Sequence, residues 1–78
     1  MPTRPKKEQA YYELIKELVS RRKRAGITQV KVARIVKTDQ SQISKYERME
    51  RELGIVDFVR YCRAIRTDPR DLLRLIGK

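Results

Sequence analysis

The tightest constraint in this chain is a three-residue gap. Residues 28–36 and 40–47 each carry apolar side chains at helical spacing, Val32, Ala33 and Val36 in the first and Ile43 and Tyr46 in the second. Only Lys37, Thr38 and Asp39 lie between them, too few for two helices to fold back side by side, so the helices must cross steeply. Start signals fix both segments. Thr28 is a good N-cap for the first, and Asp39 caps the second, with Gln42 three residues on placed to complete a capping box. Ala33 falls where a larger side chain would hold the crossing helices apart.

The same spacing carries through the flanks. Tyr11, Leu14, Ile15 and Leu18 predict a helix over about 7–25, stopped by Gly26 after the basic run Arg21 to Arg24, which complements the negative end of the helix dipole. Gly54 precedes a fourth helix with an apolar stripe of Ile55, Phe58, Val59, Cys62 and Ile65. Asp68-Pro69, a cap followed by proline in the first turn, opens a fifth that runs through Leu72, Leu75 and Ile76 to Gly77. No stretch alternates with period two for long enough to be a strand. The expectation is an all-α chain of five short helices, with residues 1–6 a flexible tail and 7–77 a single domain.

Size and residue types narrow the function. A chain of 78 residues buries only about 60% of its unfolded surface, so nearly every apolar residue is needed for the core and little is left to enclose a catalytic pocket. One cysteine, Cys62, excludes an internal disulfide and a cysteine-rich zinc site, and the absence of histidine removes the usual general base and the commonest metal ligand. Neither an enzyme, a cofactor nor a metal is expected. No apolar run is long enough to span a membrane, and the N-terminus lacks a signal peptide's apolar segment. A cytoplasmic, nucleoid-associated protein is the expectation.

Charge points to the partner. Twenty Lys and Arg against ten Asp and Glu give a net charge of +10, which invites a polyanion: nucleic acid first, an acidic membrane surface second. Position favours the first. The outer face of helix 40–47 consists of Gln40, Ser41, Ser44 and Lys45, hydrogen-bonding groups with no acid among them. A glutamine amide can bond bidentately to adenine, and lysine can reach guanine or a phosphate. An ordinary solvated helix face carries charges of both signs; this one suits a major groove of double-stranded DNA. A protein-interaction module, such as an antitoxin or a polymerase-associated partner, is the alternative from another class. RNA binding is a weaker one, because exposed aromatic platforms for single strands are lacking.

The segments Ala25-Gly-Ile-Thr-Gln29, Val32-Ala33, Gln40-Ser-Gln-Ile-Ser-Lys-Tyr-Glu-Arg48, Phe58 to Ala64 and Asp68-Pro69 resemble the lambda-repressor-like (XRE or Cro-type) helix-turn-helix family, without a gap over about residues 8–76. The resemblance implies a five-helix transcriptional regulator that is usually dimeric on DNA. It implies base contacts from Gln40, Ser41 and Lys45, phosphate contacts from Gln29 and Arg48, and a partly buried ion pair between Arg22 and Glu47. Where the family has glycines, in the turn and after the recognition helix, this chain has Lys37 and Met49. A lysine held at positive φ costs on the order of 1 kcal/mol but would bring its charge close to the DNA, making Lys37 a phosphate contact. Of the loop that follows, Arg51 is expected to face the phosphates and Glu50 and Glu52 to face away.

The remaining groups have plain structural readings. Cys62 is expected to be a buried thiol, Tyr46 and Tyr61 core, Tyr11 and Tyr12 packing at the first helix's start, and Asp68 and Asp71 a cap and a dipole partner. Leu72, Leu73, Leu75 and Ile76 are more apolar surface than a two-turn terminal helix can bury on its own domain. A homodimer through this helix is expected.

Overall fold

The computed structural model describes residues 6–77. Five α-helices follow one another, α1 (Lys6–Arg24), α2 (Gln29–Val36), α3 (Gln40–Glu47), α4 (Ile55–Ala64) and α5 (Pro69–Ile76), and the described residues hold no strand. The tail expected over residues 1–6 lies outside the described residues but for Lys6, the first residue of α1. The caps work as the sequence predicts at three starts: Thr28 accepts from the Lys31 amide, Asp39 from Gln42 and Asp68 from Arg70. The capping box is only half made. Gln42 does not reach back to Asp39; its amide donates to the Tyr46 hydroxyl one turn on, 3.2 Å away.

The helices close on one core. α1 packs against α5 and α3, α2 against α3 and α4, and α4 against α5. Leu14, Ile15 and Leu18 of α1, Val32, Ala33 and Val36 of α2, Ile43 and Tyr46 of α3, Phe58, Tyr61 and Cys62 of α4 and Leu72 of α5 all lie inside. Burial of this set supplies the main favourable free energy, at about 25 cal/mol per Å² of apolar area. Burial also pushes the Cys62 thiol up to about 11, which keeps it protonated and unreactive. Tyr11 packs on the core and its hydroxyl accepts from the Leu53 amide at 2.9 Å, whereas Tyr12 points outward beneath the Lys16 ammonium.

α4 departs from its expected stripe. Ile55 is 67% exposed and Val59 only half-buried, while Tyr61 and Cys62 are sealed. Helical side chains lean toward the N-terminus, so a residue in the first position overhangs the end of the packed face and covers nothing. On α5, Leu72 is fully buried, and Leu73, Leu75 and Ile76 are each 39% exposed.

Four of the helices end in the left-handed region, at Gly26 (φ 72°), Lys37 (71°), Met49 (61°) and Arg66 (57°). After α1, α3 and α4 the chain closes a paired turn in which an amide reaches back five residues: Ile27 to Arg22, Glu50 to Lys45 and Thr67 to Cys62. Only one of the four is glycine. Each L-residue held there costs about 1 kcal/mol, and Arg66 is exposed, held only by backbone turn bonds that a glycine would keep. Arg66→Gly is expected to stabilise the domain by about 0.5–1 kcal/mol, an upward shift of several degrees in a thermal melt at this size. An unchanged or lower midpoint would show that the guanidinium contributes what the backbone loses.

Candidate nucleic-acid interface

α2 and α3 meet across the turn Lys37–Asp39, and the polar side chains of α3 and its flanks reach the surface around that turn. Gln40 and Ser41 are exposed at the start of α3, and Ser44 and Lys45 are half-buried one turn later. Lys37 stands exposed at the left-handed position between the helices; Arg48 and Arg51 stand exposed beyond α3, and Gln29 is half-buried at the start of α2. The eight residues singled out for DNA contact thus divide between α3, its two flanking turns and the first residue of α2. α2 carries no acid at all, and the one acid of α3, Glu47, points inward.

Glu47 is the anchor of this surface. Its Oε2 accepts from Arg22 Nε at 2.7 Å and from the Tyr61 hydroxyl at 2.6 Å. Its Oε1 accepts from Arg22 Nη2 and from Gln29 Nε2, both at 2.9 Å. The Arg22 and Glu47 side chains retain only 10% and 8% of their exposure, and the third arm of Arg22 donates to the Ile27 carbonyl. Four donors fill the four lone-pair sites that a carboxylate offers. Burial alone would push the Glu47 carboxyl up, but the bonds from Arg22, Tyr61 and Gln29 together hold it below its ordinary value, so it is ionised at neutral pH. Burial first, then the bond to Glu47, push the Tyr61 phenol well above its ordinary range, and it stays a donor.

The chain of bonds continues outward. Gln29, having given its amide nitrogen to Glu47, accepts through Oε1 from Gln40 Nε2. A path of four side chains therefore runs from the buried Arg22 to an exposed position at the start of α3. A second path locks α3 to α4: Gln42 donates to Tyr46, whose hydroxyl donates to Asp57 in the first turn of α4 at 2.8 Å.

Some of this lay beyond sequence reading. Tyr61 was expected only as core, and Asp57 had no expected role. The available signal was general: a tyrosine sealed in an apolar stripe needs a partner for its hydroxyl. The expectation that Glu50 faces away from the phosphate-contacting residues fails at Arg48, whose guanidinium pairs with Glu50 at 2.9 Å and also donates to Ser44. The sharp turn at Met49 brings residues two apart onto the same side.

Comparison with known proteins agrees with this geometry. A helix-turn-helix family model matches residues 18–72. The chain belongs to the XRE-type, lambda-repressor-like helix-turn-helix family. Among solved structures, an XRE-family-like protein from Pseudomonas syringae pv. tomato strain DC3000 superposes with a TM-score of 0.83 at 39% identity, over 90% of this chain and 87% of that one. Among curated proteins none matches. As a member of this family the chain is a DNA-binding helix-turn-helix protein.

Removing one partner of a buried pair strands a desolvated charge. Glu47→Ala is expected to cost about 2–4 kcal/mol at neutral pH, against 0–1 for an exposed pair. Because the folded-state value of Glu47 is depressed, its contribution is present above the unfolded value of about 4.3 and is lost as pH falls through the folded one. Melts of wild type and variant should therefore draw together as pH falls below the ordinary carboxylate range and through the lower folded-state value. A constant gap down to the lowest pH would place the loss in packing rather than charge.

Proposed function

We propose that this protein is a sequence-specific transcriptional regulator that reads the major groove of double-stranded DNA with α3. In this reading Gln40, Ser41, Ser44 and Lys45 contact base edges, and Gln29, Lys37, Arg48 and Arg51 contact phosphates. The observation that carries it is the tether on Gln40. A side chain at the exposed tip of a helix ordinarily samples many rotamers, and this one is held by Gln29, which lowers the entropy lost on meeting a base. The acid-free surface of α2 and α3 gives the positive field that a phosphate backbone requires. Arg48 meets Glu50 in the free protein, and on DNA a phosphate takes the place of that carboxylate. The protein acts by binding, among the DNA of the cytoplasm, without catalysis or cofactor.

The regulator works as a symmetric dimer. Leu73, Leu75 and Ile76 leave a part-exposed apolar stripe on α5, the kind of surface a second copy covers. The same stripe favours a second reading, in which it docks a different protein and DNA contact is secondary. Sedimentation separates the two. At micromolar protein the expected species is a dimer, free or on an inverted repeat whose half-sites lie about 10 bp apart or a multiple of that. A monomer in both states would hand the stripe to another partner.

Affinity and specificity should separate by residue. Selection of bound duplexes from a random pool supplies the best site. On that site Gln40→Ala is expected to cost about 1–3 kcal/mol and to relax preference at one base pair per half-site. Arg48→Ala should weaken all sequences alike and flatten the log–log salt dependence by about one unit per lost phosphate contact. Competition binding against single-base variants at several salt concentrations measures both. Equal weakening of every sequence by Gln40→Ala, with base preferences intact, would remove α3 from the groove.

A further inference from the structure

The hydrogen-bond path into α3 has a direction, and the direction has a consequence for base choice. An ionised carboxylate only accepts. Glu47 can therefore meet Gln29 only through the Gln29 NH₂ group, as it does at 2.9 Å. That leaves the Gln29 carbonyl oxygen facing Gln40, which must answer with its own NH₂ group. With one N–H of Gln40 committed to Gln29, the amide has one N–H and its carbonyl oxygen left for a base. Adenine presents one acceptor, N7, and one donor, N6–H, in the major groove. Were the path reversed, Gln40 would accept from Gln29 and turn both N–H groups of its nitrogen outward, the complement of guanine's two acceptors N7 and O6.

We propose that the Glu47 carboxylate, buried and out of reach of DNA, is a positioning residue that fixes which end of the Gln40 amide faces the groove and thereby selects adenine over guanine. Tyr61 and Arg22 serve the same end. By filling the other lone pairs of Glu47 they leave Gln29 a single place to bind and a single way to bind it. Base choice at the tip of α3 is thus set by side chains from α1, α3 and α4 that touch no DNA. The inference rests on the groove reading above, and its test keeps the two apart.

The probe is the best duplex selected by the wild-type chain, with A and G exchanged at each half-site position in turn. Wild type is expected to prefer A over G at the Gln40 position by about 5- to 150-fold. Glu47→Gln offers Gln29 either an oxygen or an NH₂ group, so both directions of the path become available. Gln29→Met keeps length but cuts the path; it removes one donor from Glu47 and leaves both Arg22 bonds and the Tyr61 bond in place. Each is expected to narrow the A-over-G ratio at that position to within about threefold while ratios at the other positions hold. A purely structural role for Glu47 would instead lower affinity on all duplexes and leave every ratio unchanged. If Glu47→Gln does not fold, as judged by its melt, Gln29→Met decides alone. Wild-type ratios in the folded variants, alongside a Gln40→Ala control that does lose its base preference, would overturn the path and leave the groove reading standing. A Gln40→Ala control with intact preferences would overturn both.

Discussion

One carboxylate joins four of the five helices. Glu47 stands at the end of α3, and its donors come from α1 (Arg22), α2 (Gln29) and α4 (Tyr61). Nothing else in the domain fixes the angle of the helix-turn-helix so directly, because apolar contacts among Val32, Val36, Ile43 and Tyr46 tolerate small rotations that a bidentate ion pair does not. A buried pair of this kind is weak evidence for stability, since desolvation offsets most of the Coulombic gain. What it adds is geometry. The core holds the helices together, and Glu47 determines how α3 is presented. The neighbouring Tyr46 adds a second tie to α4 through Asp57, so the last turn of α3 is held by two tyrosine hydroxyls.

Much of this architecture was legible in the chain. Thr28, Asp39 and Asp68 carry the helix starts in their side-chain oxygens, and the shortness of Lys37–Asp39 dictates the crossing. These are local rules, and they hold because in so small a domain few tertiary contacts compete with them. Arg22 and Glu47 were legible only through family resemblance; no spacing rule pairs residues 25 apart. Tyr61 and Gln29 as carboxylate donors were not legible at all, because their role depends on the three-dimensional approach of α2 and α4 to one point. Ile55 misled for a geometric reason, lying on the right face of α4 but one turn beyond the core's edge. Arg66 misled differently. Nothing in an arginine announces a left-handed helix end, and the strain is tolerated because the turn bonds from Arg66 to Arg63 and from Thr67 to Cys62 satisfy carbonyls that would otherwise be left open.

The charge of the molecule is also less uniform than its composition suggests. Acids cluster where they pair with nearby arginines: Glu17 with Arg21 and Arg24, Asp68 with Arg70, Asp71 with Arg74. These pairs lie on α1 and at α5. Over α2 and the turn after it stand Lys31, Arg34 and Lys37 with no acid until the cap Asp39, whose carboxylate is engaged by the Gln42 amide. Exposed cations thus outnumber acids along α2 and the turn that leads into α3, the condition under which counterion release on a polyanion is rewarded. Glu47 would offset that excess if it faced outward. Buried against Arg22, its charge is cancelled locally, and what reaches the surface is only the direction it imposes on two amides. In the proposed reading, affinity and base choice fall to separate groups, exposed cations for the one and a buried anion for the other. Such a division lets either change by substitution without dismantling the other.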